Sequence, residues 1–372
     1  MTGRVLFVAD IHAGSHRGFA VPTQRPGVNS RLAMALEVLT NAGAQTKPDD
    51  TIVILGDLFD TDKPSPQVIT SVLQVLNGFP GTSLCLRGNH DSSTPREGDN
   101  ALGPLSEAGH LVVEVPRVLV YGDTLLVLLP FNPAPPIEWV PATLAALRPE
   151  IERHSGAHHL IVGSHFGISD AETPDFLSHG ALPIDTAFAL CSEYTAVAWL
   201  SGDWHTRKVW ERGGVTVAQV GALVPTGFDN PGLTGYGSLW TFDGTRLYYE
   251  EMAGPRFVKY KSAAVAVADH RETCAPTQRF AQVTVSAGEV EAATAALTAA
   301  VSEGRLGGFV VVENRNEAVE NAGETAAYVA TATSFDAALE RSVERLTLGE
   351  GVSRGEVLRR ARERVAKAKG RA

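Results

Sequence analysis

The sequence predicts an α/β layered fold with a largely buried sheet, followed by a smaller α/β unit. Over the first 250 residues, short apolar runs alternate with stretches that carry Leu and Val at helical spacing, a pattern typical of strands separated by helices. Polar clusters follow these runs, and open α/β sheets place their sites at such strand ends. Gly254 and Pro255 then punctuate the chain before a second, shorter alternation begins.

The first domain is predicted to span residues 1–254. Its six clearest strands are Val5–Ala9, Thr51–Leu55, Ser83–Leu86, Thr124–Leu128, His159–Gly163 and Ala196–Ser201. Amphipathic helices are predicted between the first three strands, over Ser30–Ala42 and Gln67–Leu76. Shorter strands at Val215–Val220, Ser238–Phe242 and Arg246–Tyr249 indicate an antiparallel section that closes the domain.

The rest of the chain is predicted to form a small α/β unit and a helical tail. Residues 255–333 contain the predicted strand Phe280–Val285, the helix Glu289–Val301 and the strand Phe309–Glu313. Residues 334–372 are predicted to be helical, with one helix over Phe335–Leu346 and a last helix capped by Ser353.

Composition indicates the compartment. Three cysteines, Cys85, Cys191 and Cys274, are too few and too scattered for a disulfide framework, which favours a reducing environment. The apolar run before Asp10 is too short for a secretory signal, and no stretch reaches the ~18 apolar residues of a membrane span. We therefore expect a cytoplasmic protein without a membrane partner, or one in the host cytoplasm if a phage encodes it.

The net charge of −10 is unevenly distributed, because residues 354–372 carry eight Arg or Lys against two Glu. The acidic body argues against binding nucleic acid by bulk charge alone. The basic segment is predicted to be a helix whose apolar stripe is too narrow to be stable by itself. Its candidate partners are the coiled coil of an ATPase and, as the runner-up, the DNA backbone; a solvated tail is the third interpretation.

Five polar clusters carry the candidate chemistry. They are Asp10-Ile11-His12, Gly56-Asp57-Leu58-Phe59-Asp60, Gly88-Asn89-His90-Asp91, Gly163-Ser164-His165 and Gly202-Asp203-Trp204-His205. Any one of them alone is most simply a turn. Five in chain order, each ending a strand, bring carboxylates, imidazoles and an amide together, a set that suits divalent cations. So many ligands favour two metal ions, which a carboxylate bridges at a separation of about 3.5–4 Å.

In this order the clusters resemble the motifs of the calcineurin-like metallophosphoesterases: Asp-x-His, Gly-Asp-x-x-Asp, Gly-Asn-His-Asp/Glu, a later Gly-His, then Gly-His-x-His. Within that superfamily the chain resembles the SbcD (Mre) type, the nuclease subunit of ATP-dependent double-strand-break repair complexes. LGDLFDTDKPSP is similar to that group's extension of the second motif, and VGALVPTGFDN to its segment after the last motif. The resemblance covers residues 3–255 and implies a β-sandwich flanked by helices, followed by a capping domain.

The resemblance also implies a role for each matching residue. A first ion would be held by Asp10, His12 and His205, a second by Asn89, His165 and Asp203, and Asp57 would bridge the two. His90 would lie beside the scissile phosphate as acid or charge stabiliser, with Asp91 to orient it and raise its pKa.

One position departs from the family pattern. Asp203 stands where the family normally carries the first histidine of Gly-His-x-His. As a ligand, this third carboxylate would leave a formal charge of +1 on two dications and favour manganese or magnesium over softer metals. The alternative is that Asp203 does not bind and the second site is weak.

Three functions fit the sequence. The first is a two-metal DNA exonuclease, with endonuclease action left open, that works with a coiled-coil ATPase of the SbcC type. The second is a stand-alone metallophosphatase or cyclic-nucleotide phosphodiesterase, which residues 256–372 disfavour because a minimal phosphatase needs no such addition. The third is a non-catalytic DNA- or partner-binding module, which the presence of Asp57, Asn89 and His90 disfavours. The resemblance further implies a homodimer, and manganese is the expected metal, with magnesium as the alternative.

Overall fold

In the computed structural model, two six-stranded sheets enclose the central hydrophobic layer of the protein. The structure describes residues 3–92, 94, 96–154, 156–174, 178, 180–228, 237–269 and 274–314, together with 353 and 359. The described residues up to 285 and those from 289 to 312 belong to one compact unit, and the remaining described residues belong to a second.

The first sheet has four parallel strands with an antiparallel pair at one edge. In spatial order it contains β14 (Leu247–Met252), β13 (Gly237–Phe242), β1 (Val5–Val8), β2 (Thr51–Ile54), β3 (Thr82–Leu86) and β4 (Leu111–Val113). The strands from β1 to β4 run parallel, whereas β13 is antiparallel to both β1 and β14.

The second sheet also has four parallel strands at its centre. In spatial order it contains β11 (Lys208–Arg212), β12 (Val215–Gln219), β10 (Ala198–Gly202), β7 (His159–His165), β6 (Thr124–Leu129) and β5 (Arg117–Tyr121). Both edge strands, β11 and β5, are antiparallel to their neighbours. A short parallel pair, β8 (Gly167–Ser169) and β9 (Ala181–Pro183), follows β7.

Helices cover the outer faces of the two sheets. They are α1 (Ser30–Gly43), α2 (Pro66–Leu76) and α3 (Gly103–Glu107) on the first sheet and α4 (Pro136–Arg153) and α5 (Ile184–Tyr194) on the second. Strand β1 shows why the apolar runs are continuous. Phe7 packs between the sheets, whereas Leu6 and Val8 pack under the helices, so both faces of the strand are buried.

A third sheet follows the two large ones. It contains β15 (Arg256–Tyr260), β16 (Arg279–Val285) and β17 (Gly308–Glu313), and the helices α6 (Ala263–Ala268) and α7 (Val290–Ser302) pack on one of its faces. The strands β15 and β16 are parallel. This sheet belongs to the same compact unit as the two large sheets.

The layered α/β class predicted from the sequence is confirmed. The six strands predicted first correspond to β1, β2, β3, β6, β7 and β10. Of the predicted antiparallel section, β13 and β14 form an antiparallel pair, whereas Val215–Val220 corresponds to β12, which is antiparallel to β11 but parallel to β10. The sequence analysis missed α4, whose interior contains Pro141 and Pro149, residues that normally end a helix. Apart from Ser353 and Arg359, the helices predicted over residues 334–372 lie outside the described part of the chain. The domain boundaries stay predictions.

Among the described residues, the helices are all too short or too polar to cross a membrane. The three cysteines are buried.

The layer between the sheets is expected to dominate stability. Leu200 is fully buried there, so Leu200→Ala leaves a cavity and should lower the free energy of unfolding by about 2–5 kcal/mol. Urea denaturation measures this loss. Val21, which is 59% exposed, supplies the control, because Val21→Ala should change the same quantity by less than about 0.5 kcal/mol. Equal effects of the two substitutions would contradict the assigned core.

Candidate metal centre

The backbone is strained where the strands of both sheets end. Four of the predicted ligands have positive φ angles: 55° at Asp10, 47° at His12, 52° at Asp57 and 78° at Asp203. Residues with a side chain rarely adopt this left-handed conformation, and such strain concentrates at functional sites. It turns the chain sharply off each strand and brings these four residues to one edge of the sandwich.

Backbone hydrogen bonds join the loops that follow β1 and β2. The amide of Asp10 donates to the carbonyl of Gly56 at 3.1 Å, and the amides of Ile11 and His12 donate to the carbonyl of Asp57 at 3.0 and 2.9 Å. The first two motifs therefore form one rigid platform, which fixes the separation of their side chains.

One cluster of ligand atoms comes from Asp10, His12 and His205, whose ligand atoms all lie within 4.8 Å of one another. The Nε2 atoms of the two imidazoles are 3.0 Å apart. Asp10 Oδ1 accepts from the amide of Asp203, but Asp10 Oδ2 is buried and has no hydrogen-bond partner. Burying an unpaired carboxylate oxygen is costly unless a cation compensates it, so these residues fit a metal ion.

Asp57 lies between imidazoles that come from both sheets. Its Oδ1 is 3.3 Å from His165 Nε2 and accepts from the amide of His90 at 2.9 Å. Its Oδ2 is 3.7 Å from His12 Nε2. The two oxygens thus face different ligand groups, which is the arrangement that a bridging carboxylate requires.

His165 is held in a fixed orientation. Its Nδ1 donates to the carbonyl of Leu55 at 2.6 Å, and its Nε2 lies 2.8 Å from the amide oxygen of Asn89. A Cβ atom at Gly56 would lie only 2.1 Å from His165 Nδ1, so this glycine leaves room for the ring. With Nδ1 as the donor, a neutral ring directs the lone pair of Nε2 at the Asn89 oxygen. Two acceptors this close need a proton or a metal ion between them.

Burial and charge shift the pKa values of the ligands in opposite directions. Burial raises the pKa of Asp10 to about 7. Burial also acts to raise the pKa of Asp57, but the facing imidazoles of His165 and His12 outweigh it and lower that pKa. Burial lowers the pKa of His205 to about 3, and the neighbouring His12 adds to the effect. The centre therefore contains both protonated and deprotonated groups, and a bound cation can change which of them carry protons.

The structure gives Asp91 contacts that differ from the predicted ones. Its two oxygens accept from the amides of Phe59 and Gly88, both at 2.9 Å, and burial raises its pKa to about 6. His90 Nδ1 instead lies 3.0 Å from the carbonyl oxygen of Asp60. Asp91 therefore does not orient His90 as predicted. The carbonyl of Asp60 orients the His90 ring, and the carboxylate of Asp91 holds two loops together.

Asp203 is placed at the centre through its backbone. Its amide donates to Asp10 Oδ1 at 3.1 Å, and burial raises the pKa of its carboxyl group. Among the described residues, the three groups of potential ligand atoms are Asp10, His12 and His205, then Asp10, Asp57 and His165, then His12, Asp57 and His90. Asp203 belongs to none of them.

Two residues to which the sequence analysis gave no role support the centre. The carboxylate of Asp60 lies 3.5 Å from His12 Nδ1 and 3.7 Å from His16 Nδ1. Gln219 is 1% exposed and donates through Nε2 to the carbonyl of Gly202 at 2.6 Å. A signal for Gln219 was available, because it is a polar residue inside the predicted strand Val215–Val220.

Comparisons with known proteins agree with this architecture. The family model described as calcineurin-like phosphoesterase matches residues 3–207. No curated protein matches the chain.

The chain is also similar, at low identity, to several solved structures. A phosphopantetheinyl hydrolase from Mycobacterium tuberculosis is 17% identical, with 59% of this chain and 89% of that chain covered and a TM-score of 0.39. A dimetal phosphatase from Danio rerio is 11% identical, with 67% and 96% covered and a TM-score of 0.43. A purple acid phosphatase from yellow lupin is 12% identical, with 68% and 52% covered and a TM-score of 0.43, so the chain spans about half of that enzyme.

Metal binding is expected to release protons. The pKa of Asp10 is raised to about 7 by burial, and the carboxylates around His165 raise its pKa well above the usual value against the effect of burial. A ligand must lose its proton before it binds a metal ion, so lowering the pH from 8 to 6 should weaken the binding of Mn²⁺. Calorimetry in buffers of different ionisation enthalpy measures the protons released. A pH-independent affinity without proton release would contradict these protonation states.

Proposed function

Because the chain belongs to the calcineurin-like phosphoesterase family and is therefore a dimetal phosphoester hydrolase, we propose that it cleaves phosphodiester bonds of DNA. Within this proposal the chain is the nuclease subunit of an ATP-dependent complex that processes double-strand breaks. The observation that carries it is the docking of the third sheet on the loop that leads from the metal centre to α1.

Aromatic rings carry this docking. The ring of Phe19, in the loop between His12 and α1, stacks on Phe280 of β16 with centroids 5.1 Å apart and lies 6.2 Å from Phe257 of β15. Phe228 contacts Phe19 and Phe257 edge-on, at 5.9 and 5.2 Å. Such pairs contribute about 0.5–1.5 kcal/mol each beyond their buried area. The third sheet is thereby attached to the loop that begins at the metal ligands.

A buried arginine side chain takes part in the same contact. Arg31 of α1 is 4% exposed, and its guanidinium lies 4.6 Å from the ring centre of Phe257. It donates to the carbonyls of Gly18 and Thr226 at 3.0 and 2.9 Å. The third sheet is thus fixed to the loop that begins at the first motif. Such an addition would extend the surface that a polymeric substrate can contact, which supports DNA as the substrate.

The exposure of the site also favours a large substrate. The imidazole of His90 is exposed, and Asn89 and His205 are only partly buried. Arg17 and Arg25 are exposed in the loop that starts at the first motif, where they could neutralise backbone phosphates. An acidic protein needs such local cations to hold a polyanion.

The residues of the centre have separable tasks. Two divalent ions, when bound, would lower the pKa of a water molecule and neutralise charge on the phosphate. The residues that would hold them are Asp10, His12, His205, Asp57, Asn89 and His165, and Asp203 stays a predicted ligand of the second ion. His90 would lie beside the scissile phosphate and, in its doubly protonated form with Nδ1 donating to the Asp60 carbonyl, would deliver its Nε2 proton to the leaving oxygen. Oxygen and imidazole ligands suit manganese, with magnesium as the alternative.

Removal of His90 tests the proposed chemistry. With Mn²⁺, the parent protein should degrade linear duplex DNA, and His90→Ala should slow cleavage by about 10²–10⁴-fold because the proton donor is lost. Calorimetric Mn²⁺ binding should be retained, since the ligands named above remain. His158→Ala, which removes an exposed histidine remote from the motifs, is the control and should cleave at the parent rate.

A comparison of DNA with small phosphate esters in the same assay identifies the substrate class. Hydrolysis of p-nitrophenyl phosphate or of cyclic nucleotides by a protein that leaves DNA intact would refute the nuclease assignment and favour the stand-alone phosphatase. Full DNA cleavage by His90→Ala would refute the role of His90 without affecting the substrate.

We further propose a partner and an oligomer. The basic segment 354–372 would pack on the coiled coil of an SbcC-type ATPase, whose acidic faces would complement its charge. The nuclease domain would form a homodimer in the cytoplasm. The support for these proposals is the sequence pattern and the family resemblance.

Deletion of residues 350–372 separates the roles of this segment. Loss of co-purification with a coiled-coil ATPase of the same genome, together with unchanged Mn²⁺-dependent cleavage, is the expected result. Weaker DNA binding with a shallower salt dependence would instead assign the segment to the DNA backbone. Unchanged co-purification and unchanged DNA binding would contradict both roles.

A further inference from the structure

We propose that Arg207 is a positioning residue of the metal centre, because its guanidinium fixes the loop that carries His205 to the opposite sheet. The ligand atoms of Asp10, His12 and His205 lie within 4.8 Å of one another, yet the first two residues follow β1 and the third follows β10. One ion can bind all three only if the loops of the two sheets keep a fixed separation. The inference rests on the metal centre of the proposed function, but it does not depend on DNA as the substrate.

The ring of His205 lacks the hydrogen bond that usually orients a metal-binding imidazole. Its Nε2 faces His12 Nε2 at 3.0 Å, and its Nδ1 is buried without a hydrogen-bond partner among the described residues. A histidine that binds a metal ion normally donates its other ring N–H to a carboxylate, a carbonyl group or water, which fixes the ring. The placement of His205 therefore depends on the backbone around it.

Two consecutive backbone amides connect this loop to the first sheet. They belong to the segment that follows β12, where the amide of Ala222 donates to the carbonyl of His205 at 3.0 Å. The next amide, that of Leu223, donates to the carbonyl of Ala9 at 2.8 Å. Since Ala9 directly precedes Asp10, residues 222 and 223 join a ligand of one sheet to a ligand of the other.

The side chain of Arg207 makes a second connection between the same two parts. Its Nη1 donates to Ser238 Oγ at 2.8 Å, and its Nη2 donates to Glu251 Oε1 at 2.7 Å. Ser238 and Glu251 are partners in the register of β13 and β14, so one guanidinium binds both strands at once. Its Cζ also lies 4.3 Å from the ring centre of Tyr249 on β14. Strand β13 pairs with β1, so these contacts attach the loop after β10 to the sheet that holds the other two ligands.

The surroundings of Arg207 favour this single arrangement. Ser238 is 1% exposed, and only a quarter of the Arg207 side chain is exposed. A Cβ atom at Gly221, where φ is 79°, would lie 2.9 Å from the backbone nitrogen of Arg207. The segment after β12 therefore passes Arg207 at a distance that a glycine allows. Hydrogen bonds from a charged donor that is partly shielded from water are stronger than those between neutral groups, so their loss should let the loop move.

Titration of the metal-free protein with Mn²⁺, without any DNA, tests the role of Arg207. Arg207→Met keeps an unbranched side chain and removes both donors, so the dissociation constant should rise about tenfold, as for other residues that support metal ligands. Arg207→Lys keeps the charge but lacks the planar pair of donors that binds two strands, so the constant should rise by about threefold. Calorimetry measures both constants.

Arg212→Met is the matched control. Arg212 also binds a carboxylate, that of Asp185 at 2.8 Å, and lies 4.4 Å from the centre of an aromatic ring, that of Phe188. These contacts join β11 to α5 and not to the first sheet. The same chemical change should therefore leave the dissociation constant of Mn²⁺ within about twofold of the parent value.

A double-mutant cycle with His205→Ala shows whether Arg207 acts through the ligand. In the His205→Ala background, Arg207→Met should change the remaining Mn²⁺ affinity by less than about twofold, because the loop no longer carries a ligand. An equal loss of affinity in both backgrounds would overturn the inference, and so would parent affinity in Arg207→Met.

Thermal unfolding of the metal-free variants verifies their fold, and Arg207→Lys carries the test if Arg207→Met does not fold. A direct contact of Arg207 with substrate phosphate would weaken DNA binding and leave Mn²⁺ affinity unchanged, which would also overturn the inference. Since no titration contains DNA, a protein that shows the expected metal response but leaves DNA intact would refute the substrate alone.

Discussion

The carboxylate of Asp57 is the constraint on which the rest of the centre depends. It stands where the strand ends of two separate sheets meet, 3.3 Å from an imidazole of the second sheet and 3.7 Å from one of the first. This contact requires that both sheets present the carboxyl ends of their parallel strands at one edge. The buried layer between the sheets fixes their register, and the glycines at positions 56 and 202 allow the ring of His165 to approach. The packing of the core therefore determines the geometry of the site.

Much of this arrangement could be predicted from the sequence, because parallel strands follow a simple rule. A strand buried on both faces is a continuous apolar run, and its end is marked by the first polar residues after it. Val5–Val8 with Asp10, and Thr51–Ile54 with Asp57, follow that rule directly. The order of the motifs then placed the imidazoles and carboxylates of both sheets at one edge without any knowledge of the contacts.

What the sequence could not supply is the direction of individual side chains. Asp91 follows His90 in the chain, so an interaction between them was the natural expectation, yet its oxygens face the amides of Phe59 and Gly88. Asp203 occupies a motif position, and its backbone amide donates to Oδ1 of Asp10, which lies 193 positions earlier in the chain. Helix α4 was missed for a different reason, since tertiary packing of Val140 and Leu144 overrides its internal prolines. Each difference comes from contacts between segments that are distant in sequence.

The unpartnered oxygen of Asp10 links the metal supply to the lifetime of the protein. A buried carboxylate without a donor raises the free energy of the folded chain, whereas the unfolded chain hydrates the same group. An ion that binds only the folded form stabilises it by about 2.7 kcal/mol when its free concentration is a hundred times the dissociation constant. A difference of this size changes the fraction of unfolded chains by about two orders of magnitude, and proteases act on that fraction. Cells starved of the metal would then hold fewer copies of the protein, so that abundance itself reports whether the centre is filled.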